Sequence, residues 1–253
     1  MAEYRRLLID QRRLDLLDEE NPFLLLTKKE LHYLARVIRL RKGDEIFIVD
    51  GKGNLWKACF LQSAVLKILS SYKSPEQTQK RILPLLSLAV VVPKNGFEEV
   101  LKMGTEIGID IFQPLTSQRG CVKRIGSSKF SRWESIISEA VEQSERLWKP
   151  ELRTPIEFQD WIDHISKLNS SLSLGITRID EYVEFESWLK TTPRDNSDVW
   201  IIIGPEGGWS EDELRLAGRK GCSNVQLGQS ILRTSTAAVS ASQLMASWRR
   251  FNH

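Results

Sequence analysis

Cysteine and histidine are scarce and scattered in this sequence. It has only three of each, the cysteines are widely spaced, and no CxxC pair occurs. A disulfide framework requires paired cysteines and a zinc site requires clustered ligands, so neither is expected. We therefore expect no bound metal ion, and we expect the chain to work in a reducing compartment, the cytoplasm.

Long apolar runs are missing as well. The longest, ILPLLSLAVVVP, is too short to cross a bilayer and contains Pro84. The first residues, MAEYRRLLID, include no apolar core of a signal peptide. No membrane partner is therefore expected, and 41% apolar with 27% charged residues is the balance of a soluble globular protein.

Three familiar motifs are also absent. The chain has no GxxxxGKS or GxxxxGKT, no GxGxxG and no GxSxG. This argues against a Walker-type NTPase, a Rossmann dinucleotide site and an α/β-hydrolase nucleophile. Charge is uneven, because residues 1–80 contain 15 lysines and arginines against 11 aspartates and glutamates. A basic first part fits a polyanion such as nucleic acid, although a solvated basic surface gives the same balance.

Two patterns divide the chain. In the first part, short strands such as YRRLLI and the hairpin EIFIVD-GKGN-LWKACF flank one helical segment, TKKELHYLARVIRL. This predicts a small barrel or curled sheet with one helix. The polar stretch SSYKSPEQTQK is typical of a linker, and beyond it strands such as LLSLAVVV and VWIIIG alternate with amphipathic helices. Alternation of this kind predicts a parallel sheet covered by helices.

The second part contains two glycine-bearing turns, GPEGGWSEDEL and LGQSILRTSTAA, each directly after a short strand. Glycine lets backbone groups contact a ligand directly, and ligands bind beyond the strand ends of parallel sheets. Ser210 and Glu213 form a capping-box pattern that places a helix start at Glu211. The turns fit an adenosine-bearing cofactor with little negative charge. Glycines and caps with a purely structural role remain the alternative.

The same two segments closely resemble the C-terminal signature of the RsmE family, bacterial SPOUT-class enzymes that methylate N3 of a uridine in 16S ribosomal RNA. The resemblance extends upstream to PKNGFEEVLKMGTEIGIDIFQPLTSQRG, RWESIISEAVEQSERLWKPEL and HYLARVIRLRKGDEIFIVDGKG. These motifs follow one another in the order that the family has. Most of the chain is therefore covered by the resemblance.

The resemblance implies a two-domain α/β protein. A smaller N-terminal PUA-like β-barrel that binds RNA would occupy residues 1–72, with a linker at residues 73–80. A SPOUT-type parallel sheet with a C-terminal trefoil knot would occupy residues 81–253. The implied cofactor is S-adenosylmethionine, and the implied partners are 16S ribosomal RNA in the small ribosomal subunit and a second copy of the chain in a homodimer.

The resemblance also assigns binding residues one by one. The cofactor pocket is expected to be lined by both glycine turns, the strand ends beside them and the last helix start: Leu174, Gly175, Ile203, Gly204, Gly207, Gly208, Leu227, Gly228, Ile231, Leu232, Thr236 and Ala237. Contacts with RNA phosphates are expected from six basic side chains: Arg5, Arg6, Arg12, Arg13, Lys123 and Arg124. Such contacts make RNA binding weaken as the salt concentration rises.

Catalysis requires N3 of uracil to lose its proton, so cations beside the base would favour the reaction. The candidates are Arg233, Arg119 and then Arg146, with Glu142 placed to orient the base. A bare surface ion pair is the alternative for Glu142 and Arg146. The family commonly has an acid where this chain has Ser235, so we expect Ser235 to cap the helix and water to take the proton.

Two other functions remain open from the sequence. The chain fits another SPOUT methyltransferase that acts on transfer RNA or on a ribose 2′-hydroxyl. It also fits a ribosome-assembly factor that binds RNA without catalysis. Intact glycine turns favour an enzyme, because a pocket without a cofactor does not need them.

Overall fold

The computed structural model describes residues 5–18, 20–37, 39–61, 64–177, 181–195 and 197–251. The chain divides into two compact units. Residues Met1–Arg81 and Val141–Lys149 form the first, and residues Ile82–Ala140 and Pro150–His253 form the second. Within the described ranges, no helix is long and apolar enough to cross a membrane.

The first unit is built on a mixed sheet of six short strands. They are β1 (Arg6–Leu8), β2 (Phe23–Leu25), β3 (Glu45–Val49), β4 (Asn54–Leu61), β5 (Val65–Ile68) and β6 (Gln77–Thr78). The order is β1-β3-β4-β5-β2, with β6 against β4. β1 runs parallel to β3, and the other described pairs are antiparallel. The hairpin predicted from its glycine turn is the β3–β4 pair.

The helices of the first unit differ from the prediction. The segment predicted as one helix is α2 (Lys28–His32) followed by a π-helical turn (Tyr33–Val37), and a further short helix, α1 (Gln11–Leu14), precedes it. The expectation of a single helix was therefore wrong. Thr27 and Glu30 form a capping box that starts α2, and the carboxylate of Glu30 also binds Arg13 at 2.6 Å.

The second unit has an eight-stranded parallel sheet. Its strands are β7 (Leu85–Val91), β8 (Ile111–Thr116), β9 (Glu151–Leu152), β10 (Ile156–Glu157), β11 (Ser170–Gly175), β12 (Val183–Glu184), β13 (Asp198–Ile203) and β14 (Ser223–Gln226). The order is β10-β8-β7-β13-β11-β14-β12, with β9 against β8. The helices are α3 (Phe97–Ile107), α4 (Ser127–Gln143), α5 (Phe158–Ile165), α6 (Phe185–Thr191), α7 (Glu211–Arg219) and α8 (Thr234–Arg250). The last residues of α4 belong to the first unit.

The burial of the central strands explains their composition. All six residues of β13 are buried, and so are six of the seven in β7. A strand that is covered on both faces carries a continuous apolar run, as VWIIIG does. The predicted α/β fold with a parallel sheet is confirmed, and helix α7 begins at Glu211 behind a capping box of Ser210 and Glu213, also as predicted.

A buried ion pair fixes the C-terminal end of α8. Arg249 binds the carboxylate of Asp110, and their side chains are only 14% and 6% exposed. Asp110 Oδ2 also accepts the N–H of Leu86 at 2.9 Å, and Arg249 donates to the carbonyl oxygen of Gly108 at 3.1 Å. The pair therefore ties the last helix to the starts of β7 and β8.

Replacing Arg249 with methionine is expected to lower the free energy of unfolding by about 3 kcal/mol, because the buried Asp110 carboxylate loses its counter-ion. Urea denaturation at neutral pH measures this loss. Arg250→Met is the matched control, since Arg250 is exposed, and its effect should stay within about 0.5 kcal/mol. Equal losses in the two variants would contradict a structural role for the ion pair.

Candidate active site

The ends of five parallel strands share one edge of the second unit's sheet. β8, β7, β13, β11 and β14 lie side by side in that order. Because they are parallel, their carboxyl ends point to the same edge, where ligands bind in such sheets. The first glycine turn leaves β13 and the second leaves β14. The loop after β8, residues 117–124, begins at this edge too, and we call it the Arg119 loop.

The indole ring of Trp209 packs against Gly204, the first residue of the first glycine turn. A Cβ atom at Gly204 would lie 2.8 Å from the ring, so only glycine allows the contact. The indole N–H donates to the carbonyl oxygen of Gly175, at the end of β11, at 3.1 Å. Phe158 packs against the ring with a centroid distance of 4.7 Å. Trp209 therefore joins the ends of β11 and β13 to the core beneath them.

Thr234 joins the second glycine turn to the first. Its hydroxyl donates to the carbonyl oxygen of Gly204 at 2.9 Å, and the side chain is buried. Ser235 lies beside Gly96, in the loop after β7, with its Cβ 3.1 Å from the position of a Cβ on that glycine. Arg233 holds the N-cap position of α8, and no side chain caps the helix. The expectation that Ser235 caps this helix was therefore wrong.

The Arg119 loop lies against the first glycine turn. Arg119 Nη1 donates to the carbonyl oxygen of Trp209 at 3.0 Å. A Cβ atom on Gly207 would lie 3.3 Å from both the Cβ and the carbonyl oxygen of Arg119. Both Arg119 and Arg233 are exposed, as a group that meets a substrate must be.

Several of the residues assigned to the cofactor pocket can present mainly main-chain atoms to a ligand. The side chains of Leu174 and Ile203 are buried, so these two residues have little but main chain to present. Gly208 and Gly228 have φ angles of +70° and +154°, and a Cβ on either would meet open space. Ile231, in the second glycine turn, is 63% exposed. The remaining members, Leu227, Leu232, Thr236 and Ala237, are partly or fully exposed.

Glu142 and Arg146 belong to the first unit. There, Glu142 Oε1 accepts the N–H of Leu8 at 2.9 Å. Both side chains are half-buried. The structure therefore gives Glu142 a partner inside its own unit.

The six basic residues expected to bind phosphate fall into two groups. Arg5, Arg12 and Arg124 are exposed. Arg6 pairs with Glu145 at 2.9 Å and Arg13 with Glu30, while Lys123 Nζ donates to two backbone carbonyl oxygens in its own loop. In the second group, part of the donor capacity of each cation is therefore already used inside the protein.

Neither Trp209 nor Thr234 was among the residues predicted from the sequence for this site. One signal existed for Trp209, because a large ring that follows three glycines within six residues has space made for it. For Thr234 there was none, because hydroxyl residues near a helix start are usually caps.

The Cys222 thiol lies at the amino end of β14, the end opposite to the glycine turn. Burial raises the pKa of the Cys222 thiol, just before β14, to about 12, so it stays protonated at neutral pH. In the part of the chain that the structure describes, no group of three histidine, cysteine, aspartate or glutamate side chains is placed to hold a metal ion.

Two family models match the chain. One, described as an RNA methyltransferase domain, matches residues 81–246. The other, described as an RNA methyltransferase PUA domain, matches residues 26–63. The first match covers more than half of the chain and includes every strand end of the candidate site.

Similar proteins carry a consistent name. A relative from Synechocystis, named ribosomal RNA small subunit methyltransferase E, is 38% identical over 84% of this chain and 69% of its own length. A relative of the same name from Rickettsia conorii is 32% identical over 94% of this chain and 93% of its own length. A methyltransferase from Legionella pneumophila, solved with bound cofactor SAM, superposes with a TM-score of 0.81 at 26% identity, covering 97% of this chain and 98% of that one.

Replacing Gly204 with alanine is expected to displace Trp209, because the new methyl group would overlap the indole. Overpacking of this kind costs about 1–3 kcal/mol of unfolding free energy, measured by urea denaturation. Gly218→Ala is the control, since a Cβ there meets nothing within 4 Å. The control should be neutral or slightly stabilising. A Gly204→Ala protein as stable as the control would contradict the close contact.

Proposed function

The chain belongs to the RNA methyltransferase family that includes ribosomal RNA small subunit methyltransferase E, and we propose that it methylates N3 of a uridine in 16S ribosomal RNA. The proposed methyl donor is S-adenosylmethionine. The names of the relatives support the ribosomal substrate, and the SAM-bound relative supports the donor.

The observation that carries the proposal is the open backbone of the two glycine turns. Gly208 and Gly228 leave space where other residues would place a Cβ. Ile231, three residues after Gly228 in the second turn, presents an exposed apolar side chain. Bare backbone donors and acceptors next to an apolar side chain fit an adenosine group, which is flat, largely uncharged and able to form hydrogen bonds at its edge. The residues present therefore fit the cofactor.

The chemistry divides between cofactor and protein. S-adenosylmethionine supplies a methyl group that is already activated on a sulfonium centre. The protein must hold the uridine with N3 facing that methyl group and must favour the imide anion that forms as the proton leaves. Arg233 and Arg119 are exposed cations at the edge where both glycine turns begin. A fixed cation beside a developing anion contributes about 10²- to 10³-fold in rate.

Family membership is also the basis for proposing where the protein works and how it assembles. We propose that the chain works in the cytoplasm, on the small ribosomal subunit, as a homodimer with a C-terminal trefoil knot. The match to an RNA methyltransferase PUA domain supports an RNA-binding role for the first unit. Arg5, Arg12, Lys123 and Arg124 are the exposed members of the predicted phosphate-binding set.

Nucleoside mass spectrometry tests the reaction. Small ribosomal subunits that lack the modification, incubated with the protein and S-adenosylmethionine, should yield 3-methyluridine after digestion. A methylated ribose or another base would move the chain to a different SPOUT reaction. Binding to the subunit without any methylated product would favour an assembly factor instead.

Two variants of the last helix start test the roles of Arg233 and Ser235. Arg233→Ala should lower kcat by about 10²-fold, because the cation beside the base is lost. Ser235→Glu should keep near-wild-type turnover if no acid at this position takes the proton. Arg215→Ala is the control, since Arg215 is exposed and paired with Asp212 on α7. The reverse pattern, with an active Arg233→Ala and a changed Ser235→Glu, would overturn both roles.

A further inference from the structure

The Arg119 loop is held from two sides at a single residue, Gln118. The N–H of Gln118 donates to Glu213 Oε1 at 2.9 Å. The carbonyl oxygen of Gln118 accepts from Lys123 Nζ at 2.8 Å, and the same amine binds the carbonyl oxygen of Ser117 at 2.7 Å. Arg119 follows Gln118 directly, so the two charged groups fix the backbone from which the Arg119 side chain extends.

Glu213 serves two purposes with its two oxygens. Oε2 accepts the N–H of Ser210 at 2.8 Å, which completes the capping box of α7. Oε1 is not needed for the cap, and it reaches the Arg119 loop. The residue is 1% exposed. A buried carboxylate is costly unless its oxygens are hydrogen-bonded, so the loop contact is also what makes this burial tolerable.

We propose that Glu213 is a positioning residue for methyl transfer, acting through the Gln118 peptide on Arg119, with Lys123 as its counterpart on the other side of the loop. The proposal rests on the proposed function, because it gives Arg119 a place beside the reacting base. It also assigns Lys123 to the protein's own backbone rather than to RNA phosphate. Misplacement of a reacting or stabilising group by about 1 Å can cost 10²-fold in rate.

Glu213→Gln separates the two purposes of the carboxylate. Glutamine serves at this position of a capping box, so the helix start is kept. Its amide has one oxygen, which can replace Oε2 toward Ser210 but leaves an NH₂ group facing the Gln118 N–H. We expect kcat to fall about 10- to 100-fold, with KM for S-adenosylmethionine within about twofold of wild type.

Ser210→Ala is the reciprocal variant, because it removes the cap hydroxyl and leaves the Gln118 contact in place. It should lower Tm by about 2–4 °C with kcat near wild type. Asp212→Asn is the matched control, a carboxylate-to-amide change on an exposed residue of the same helix turn. Equal kcat losses in Glu213→Gln and Ser210→Ala, or wild-type kcat in Glu213→Gln, would overturn the proposal.

Hydrogen exchange at the Gln118 amide gives a readout that does not need turnover. Its protection should be lost in Glu213→Gln and kept in Ser210→Ala and Asp212→Asn. Unchanged protection in Glu213→Gln would overturn the loop assignment. An inactive wild-type protein would overturn the proposed function instead, since exchange is measured without substrate.

Lys123→Met tests the same loop if Glu213→Gln fails to fold, because Lys123 is exposed. We expect a kcat loss of the same order, about 10- to 100-fold. RNA affinity and its salt dependence should stay unchanged. A salt slope reduced by about one, with normal kcat, would return Lys123 to phosphate binding and overturn its part in the proposal.

Discussion

The packing of the Trp209 indole against Gly204 is the contact on which the candidate site depends. A buried tryptophan removes about 150–250 Å² from water, which contributes about 4–6 kcal/mol. The hydrogen bond from its N–H to Gly175 contributes about 1 kcal/mol. Burial therefore supplies the stability, and the hydrogen bond decides how the ring is turned. With the ring in this place, the first glycine turn must pass around it and expose its backbone at the strand edge.

Two buried polar contacts then add the neighbouring loops to that turn. Thr234 brings the start of α8 to Gly204, and Glu213 brings the Arg119 loop to the start of α7. In each case a side chain in the first turn of a helix also binds a segment that is distant in the sequence. Loops held in this way need little rearrangement when charge develops beside them, which is the condition for electrostatic stabilisation. The exposed arginines are thus carried by backbone that is itself fixed.

Local patterns in the sequence predicted the features that depend on short-range interactions. Apolar runs gave the buried parallel strands, and Ser210 with Glu213 gave the start of α7, because both signals lie within a few residues of the structure they produce. The second oxygen of Glu213 meets a residue 95 positions away, and no periodicity encodes such a pairing. Ser235 was misassigned for the same reason, since Thr234 turns inward to Gly204 and Arg233 takes the cap position. The grouping of Val141–Lys149 with the first unit likewise rests on contacts distant in sequence.

The first turn of α8 contains no acidic residue, and this bears on which group accepts the proton from N3 of the uracil. That turn has no acidic residue and no side-chain cap, so its N–H groups and helix dipole present positive charge. An acid placed there and acting as a positioned general base would contribute about 10²- to 10⁴-fold in rate. An arginine aimed at the imide anion is worth about 10²- to 10³-fold. The two contributions are therefore of similar size, and the arginine acts whichever group accepts the proton. With Ser235 in place of an acid, stabilisation of the anion is the contribution that this helix start retains, and the proton is left to water.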